Sequence, residues 1–78
     1  MAKLTPCNIS KIEKVNRIHD DALCTYNTFE HEGMKYIQFD TYGSSGRVMK
    51  DKISQSIQFD KNTAVFIVDI LKKEFNLE

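Results

Sequence analysis

Seventy-eight residues with eleven basic and eleven acidic side chains, 41% apolar and 28% charged, make one small domain of zero formal net charge. A chain this short buries only about 60% of the surface its unfolded form exposes, so its core is thin and a second chain is the natural supplement. The composition excludes a disordered, highly charged tail. The charge balance excludes an overall basic field drawing the chain to nucleic acid from a distance, and two cysteines are too few for a disulfide scaffold.

Residues 1–8, with Thr5-Pro6 and Asn8, read as a flexible N-terminal arm, and residues 9–78 as a single α+β domain. No early apolar run resembles a signal peptide and none approaches the length of a membrane span, which places the chain in the cytoplasm with reduced thiols. From Ile9 to His19 the pattern is divided. Ser10-Lys-Ile-Glu13 matches a capping box and Glu13 to Arg17 an i,i+4 ion pair, yet Ile12, Val15 and Ile18 recur every three residues in a short β-branched segment that leans to strand.

Asp20-Asp21 is a turn signal before Ala22 to Phe29, dense in aromatic and β-branched residues and therefore a strand. His31-Glu32-Gly33 makes a tight connection in which Gly33 supplies a positive φ. In the next strand Lys35, Ile37, Phe39 and Thr41 share one face and Tyr36, Gln38 and Asp40 the other. Ile53 to Phe59 alternates more cleanly, with Ile53, Gln55, Ile57 and Phe59 against Ser54, Ser56 and Gln58. Gly43-Ser-Ser-Gly46 between them reads as a flexible loop.

Asp60 is a good N-cap for a helix over Lys61 to Phe75, and Lys72 and Lys73 complement its far end. Ala64, Ile67, Val68, Leu71 and Phe75 form the stripe expected to pack on the sheet. Phe66 and Ile70 fall to one side of it and are the expected dimer face, with cover by the N-terminal segment as the alternative, since leaving them wet would forfeit several kcal/mol, at about 1.5 to 3 kcal/mol for each large side chain buried.

Cys7, His19, Cys24 and His31 lack the close spacing of a zinc site, so no metal and no cofactor are expected; Cys24 reads as a packed core cysteine. A Cys24 nucleophile would need a pocket or a helix N-terminus. Asp40 and Asp60 have simpler roles as turn residue and cap, so no enzyme is expected. Gly43-Ser-Ser-Gly46-Arg47 lacks the spacing of a phosphate-cradling loop. Arg47, Lys50 and Lys52 lie near Tyr36 and Tyr42 and the polar row Ser54, Ser56 and Gln58. Cations that track a backbone, aromatics that stack on bases and small polar groups on an open sheet face are what single-strand binding uses.

With strands over 11–19, 22–30, 34–42 and 52–59 and a helix over 61–76, the order is β-β-β-β-α: an antiparallel sheet of three to four strands covered by one C-terminal helix. That order, with Met49-Lys-Asp-Lys-Ile-Ser-Gln-Ser-Ile-Gln-Phe-Asp leading into a C-terminal helix, resembles the single-stranded-DNA-binding transcriptional positive cofactors (Whirly-like fold) and their bacterial and phage relatives. The resemblance implies dimerisation through the helix at Phe66 and Ile70, a basic loop at Arg47, Lys50 and Lys52, and nucleic acid lying across curved sheets. The expected function is thus a homodimeric, non-sequence-specific single-stranded nucleic-acid-binding module of the transcription or replication accessory type. The alternative is a protein-interaction module, such as a small phage or accessory factor on a larger enzyme; an α-β-β-β-α double-stranded-RNA-type module would follow if residues 10–19 were helical.

Overall fold

The computed structural model describes residues 1–44 and 52–77. They form a four-stranded sheet followed by one C-terminal helix, the α+β arrangement the sequence predicts. Strands β1 (Ala2–Lys3), β2 (Ala22–His31), β3 (Met34–Ser44) and β4 (Ile53–Asp60) lie in the order β1-β4-β3-β2, and α1 spans Lys61–Phe75.

The β2–β3 hairpin closes on His31 opposite Met34 through two residues, Glu32 at φ 52° and Gly33 at φ 80°. Both values are positive, as the hairpin turn matching the right-handed strand twist requires. From this turn the register runs without a break as far as Cys24 opposite Thr41, and shifts between there and Ala22: Phe29 faces Tyr36, Asn27 faces Gln38 and Tyr26 faces Phe39. Across β3 and β4, Tyr36 faces Asp60, Gln38 faces Gln58, Phe39 faces Ile57 and Asp40 faces Ser56. Strand alternation then sorts the sheet into a polar face (Asn27, Gln38, Asp40, Ser56, Gln58) and an apolar one (Tyr26, Ile37, Phe39, Ile57, Phe59). The apolar face carries an aromatic row, with ring centroids 5.8 Å apart for Tyr26–Phe39 and 6.1 Å for Phe39–Phe59.

Three expectations are corrected. The sheet is mixed, because β1 pairs in parallel with β4, Ala2 opposite Ile57 and Lys3 opposite Gln58. The segment 9–21 is neither strand nor helix. Apolar residues every third position line up with neither the period of 2 of a strand nor that of 3.6 of a helix, so neither element would bury them, and Ile12, Val15 and Ile18 stand exposed. Lastly, a register slip sets Thr41 opposite Gln55 but Tyr42 opposite Ile53, so Ser54 has no partner of its own. This bulge moves Ile53 off the apolar face to the edge of the polar one.

α1 begins where β4 ends. Asp60 caps it, accepting from the Thr63 backbone N–H at 3.0 Å, and Asn76 in the left-handed conformation (φ 57°, ψ 42°) ends it. Thr63 is fully buried and its hydroxyl donates to the Leu4 carbonyl, which ties the chain's start to the first turn of the helix. From there Leu4 to Ile12 runs along α1 to an ion pair between Lys11 and Glu74 at 3.1 Å. Ile9 and Ile12 border a groove with Phe66 and Ile70, so the chain's own N-terminal segment lies beside the expected dimer face without covering it: Phe66 stays exposed and Ile70 half-buried.

The helix stripe expected to pack on the sheet does not do so along its length, because the helix leaves the sheet after its first turns, and much of it stays open. Val65, Val68, Leu71 and Phe75 are exposed, as are Tyr26, Phe39 and Ile57 on the apolar face. Among the described residues no apolar side chain is fully buried; the buried ones are Asp40, Ser56 and Thr63.

Candidate nucleic-acid interface

The polar face is built across β2, β3 and β4, with Lys3 of β1 at its edge. Phe29 and Tyr36, opposite one another, stack with ring centroids 5.7 Å apart and planes within 15°. The Lys3 ammonium lies 5.9 Å from the Tyr36 ring centroid, within cation–π range. Lys3, Phe29, His31, Tyr36 and Gln58 line a cleft of about 350 Å³. A second of about 410 Å³, also lined by Lys3 and Gln58, adds Gln38, Ile53 and Ser56. Both volumes fall in the range of small-ligand sites.

Below the clefts the polar side chains are bonded to one another. Ser56 Oγ donates to Asp40 Oδ1 at 2.6 Å, Gln38 Nε2 donates to the same oxygen at 2.8 Å, and Gln58 Nε2 donates to Gln38 Oε1 at 2.7 Å. Asp40, 7% exposed, is therefore a buried anchor in mid-strand rather than the turn residue the sequence suggests. The hydrogen bonds from Ser56 and Gln38 favour its charged form and hold its pKa below the usual carboxylate value, against the opposing effect of burial. Asp60 is likewise lowered, by the Thr63 N–H at the helix start. Asp40 and Asp60 lie four residues apart along the ladder, about 13 Å, too far to share a proton.

The expected site residues distribute unevenly. Tyr36, Ser56 and Gln58 come together in the clefts, and Tyr42 shares their face, its hydroxyl 3.1 Å from that of Thr25. Ser54 is exposed at the bulge and Lys52 is exposed just before β4. Arg47 and Lys50 lie outside the described residues. Phe66 and Ile70 belong to the groove along the N-terminal segment, away from the sheet face. Cys24, expected in the core, is exposed, as is Cys7. Sequence reasoning missed Lys3, Phe29, His31, Gln38 and Asp40 as members of the site. Counting back from the Glu32-Gly33 turn would have set Phe29 opposite Tyr36; nothing in a two-residue strand announces Lys3.

Chemically the face offers a flat aromatic pair, a cation and an amide row, a combination that takes a planar heteroaromatic ring with hydrogen-bonding edges and a nearby negative charge. Among the described residues no cluster of histidine, cysteine or carboxylate could hold a metal ion, and no helix is long and apolar enough to cross a membrane. Comparison of the chain with protein-family models, with curated proteins and with solved structures finds no significant match.

Proposed function

We propose that this chain is one subunit of a homodimeric module that binds single-stranded nucleic acid on the polar face of its sheet. The observation that carries the proposal is the two-sidedness of the subunit: the stacked Phe29–Tyr36 pair, Lys3 and the amide row lie on one face, and the unpartnered sheet apolar surface lies on the other. Bases stack on Tyr36, with Tyr42 further along the same face. Lys3 and Lys52, with Arg47 and Lys50 of the β3–β4 connection, meet phosphates.

The partner copy is supported by area. The chain exposes 7072 Å². A folded chain of its 9.1 kDa is expected to expose about 4,900 Å², leaving roughly 2,200 Å² in excess. Even half of that exceeds the about 800 Å² that each partner gives to a standard interface, and the whole, doubled, falls in the obligate class. The radius of gyration agrees: 14.7 Å against about 11.5 Å for this length.

The helix stripe suits a second copy in particular. Ala64, Val68, Leu71 and Phe75 are spaced four, three and four, which reads the same in both directions. An antiparallel copy sets Ala64 against Phe75 and Val68 against Leu71, small against large and medium against medium, as a two-fold interface requires. Ala64 also borders a cleft with Thr28, Ile37 and Phe59, so the stripe is continuous with the apolar sheet face. Zero net charge leaves no long-range repulsion between copies.

The test is a titration of a labelled single-stranded oligonucleotide followed by anisotropy at low and raised salt. Binding that weakens steeply with salt is expected; a flat signal at low salt refutes the proposal. The same zero charge favours a second role, that of a protein-interaction module. A partner protein recovered after nuclease treatment, with no nucleic acid retained, would identify that role.

A further inference from the structure

The hydrogen bonds of the polar face run in one direction. An ionised carboxylate accepts and never donates, so Asp40 fixes the sense of everything attached to it. Gln38 has to turn its NH2 toward Asp40, which leaves its carbonyl for Gln58. Gln58 in turn gives its NH2 to Gln38, and its own carbonyl Oε1 becomes the terminal acceptor of the chain. Flipping either amide would set acceptor against acceptor or donor against donor at 2.7 to 2.8 Å, a cost that this half-buried network, anchored on the buried Asp40, passes to water only in part. Ser56, bonded to the same carboxylate oxygen, holds Asp40 from the neighbouring strand.

Gln58 lines both clefts, and Lys3 lines both with it. A base stacked on the aromatic pair therefore meets, at its edge, one fixed acceptor and one mobile cation. Lys3 is exposed and has to swing from the Tyr36 ring to reach that edge, which its flexible stem allows. Guanine answers this pair best. Its Watson–Crick edge sets two donors, N1–H and N2–H, beside one acceptor, O6. Adenine and cytosine offer a single amino donor there, and thymine or uracil flanks its one N–H with two carbonyls that repel an acceptor.

Building on the polar face as the single-strand platform, we propose that the cleft between Phe29, Tyr36 and Gln58 is a guanine-selective base site. N1–H and N2–H of the base donate to Gln58 Oε1, and O6 accepts from Lys3 Nζ. The strand is otherwise bound without regard to sequence, so the expected indifference gives way to a preference at one position in each subunit. Asp40, Gln38 and Ser56 are positioning residues: they touch no ligand and act by locking the orientation of Gln58.

The test uses oligothymidylate hosts of equal length carrying one central guanine, adenine, cytosine or thymine, titrated by anisotropy against the full chain. A single guanine excludes quadruplex formation. The wild-type chain is expected to bind the guanine host about tenfold more tightly than the all-thymine host. Asp40→Asn replaces an acceptor-only anchor with an amide that works either way round, so the preference is expected to shrink below about twofold while binding to the all-thymine host persists. Gln58→Leu, at a less buried position, is expected to lose the preference in the same way, and it carries the test should circular dichroism show Asp40→Asn unfolded. Ribose hosts run in parallel identify the strand from which the guanine comes. Equal wild-type affinity for all four hosts overturns the guanine site and leaves the platform standing; no binding to any host overturns the platform itself. A preference that survives in both folded variants overturns the role given to the Asp40 chain.

Discussion

Truncating Leu71 to alanine probes the shared apolar surface directly. Leu71 is 42% exposed in the single subunit and, in the proposed dimer, sits at the centre of the palindromic stripe opposite Val68 of the antiparallel copy. Burying a leucine side chain fully is worth about 1.5 to 3 kcal/mol, so the part left open corresponds to about 0.6 to 1.2 kcal/mol per subunit. Two copies per dimer double this, and the dissociation constant should rise roughly seven- to fiftyfold, taking about 1.4 kcal/mol for each factor of ten. Thermal melts over a wide range of protein concentrations, fitted to a dimer-to-unfolded equilibrium, give that constant. Asn62→Ala, on the polar side of α1, is the control and should leave it within about twofold. A Leu71→Ala chain that melts as the wild type does, with the same concentration dependence, would refute the placement of the seam.

Four further outcomes follow from the same structure. Tyr36→Ala removes the stacking surface and should weaken oligonucleotide binding about five- to 150-fold, as measured by anisotropy, at about 1 to 3 kcal/mol per stacked base. On an all-thymine strand, where Lys3 is free for a phosphate, Lys3→Ala should lower the slope of log affinity against log salt by about 0.7, the value for one phosphate contact on a single strand. Asp40 and Asp60 have pKa values held below their ordinary 3.8. Depressed carboxylates stabilise fully above the unfolded value and lose that contribution as pH falls through the folded one, so the urea midpoint should stay level from about pH 7 to 5 and fall below about pH 4; a midpoint that climbs on acidification would contradict this. Gly33→Ala places a Cβ in open space at φ 80°, so the cost is backbone strain alone, about 1 kcal/mol by urea unfolding.

The elements with strong local signals were legible in the sequence. The aromatic and β-branched density of Ala22 to Phe29, the Glu32-Gly33 turn, the alternation through β3 and β4 and the Asp60 cap each specify their own geometry through nearest neighbours, and all stand where expected. What escaped depends on contacts distant in sequence. A parallel pairing of Ala2–Lys3 with β4 leaves no period to detect in two residues. Asp40 reads as a turn former until the length of β3 places it opposite Ser56, and the slip at Ser54 that turns Ile53 is decided by the register across two strands. The helix showed its surplus of apolar residues plainly. That the N-terminal segment could lie along Phe66 and Ile70 was open to sequence reasoning, but its path was not legible, because Leu4 to Ile12 carries no strand or helix period of its own.

On the proposed pairing, the wide apolar surface is what lets a neutral chain of this size keep one sheet face polar and open. In a lone subunit Val65, Val68, Leu71 and Phe75 on the helix and Tyr26, Phe39 and Ile57 on the sheet stay wet, and at about 1.5 to 3 kcal/mol for each large side chain fully buried that is of the order of the 5 to 15 kcal/mol by which small domains are stable. On the proposed pairing, such a subunit folds as it pairs, and its apparent stability would depend on its concentration.

Sedimentation equilibrium across a dilution series, with circular dichroism at each concentration, tests this most directly. The expected result is a species of twice the 9.1 kDa chain mass wherever the chain is folded, with folded signal lost as that species dissociates. A folded, stable particle of 9.1 kDa persisting on dilution would contradict it.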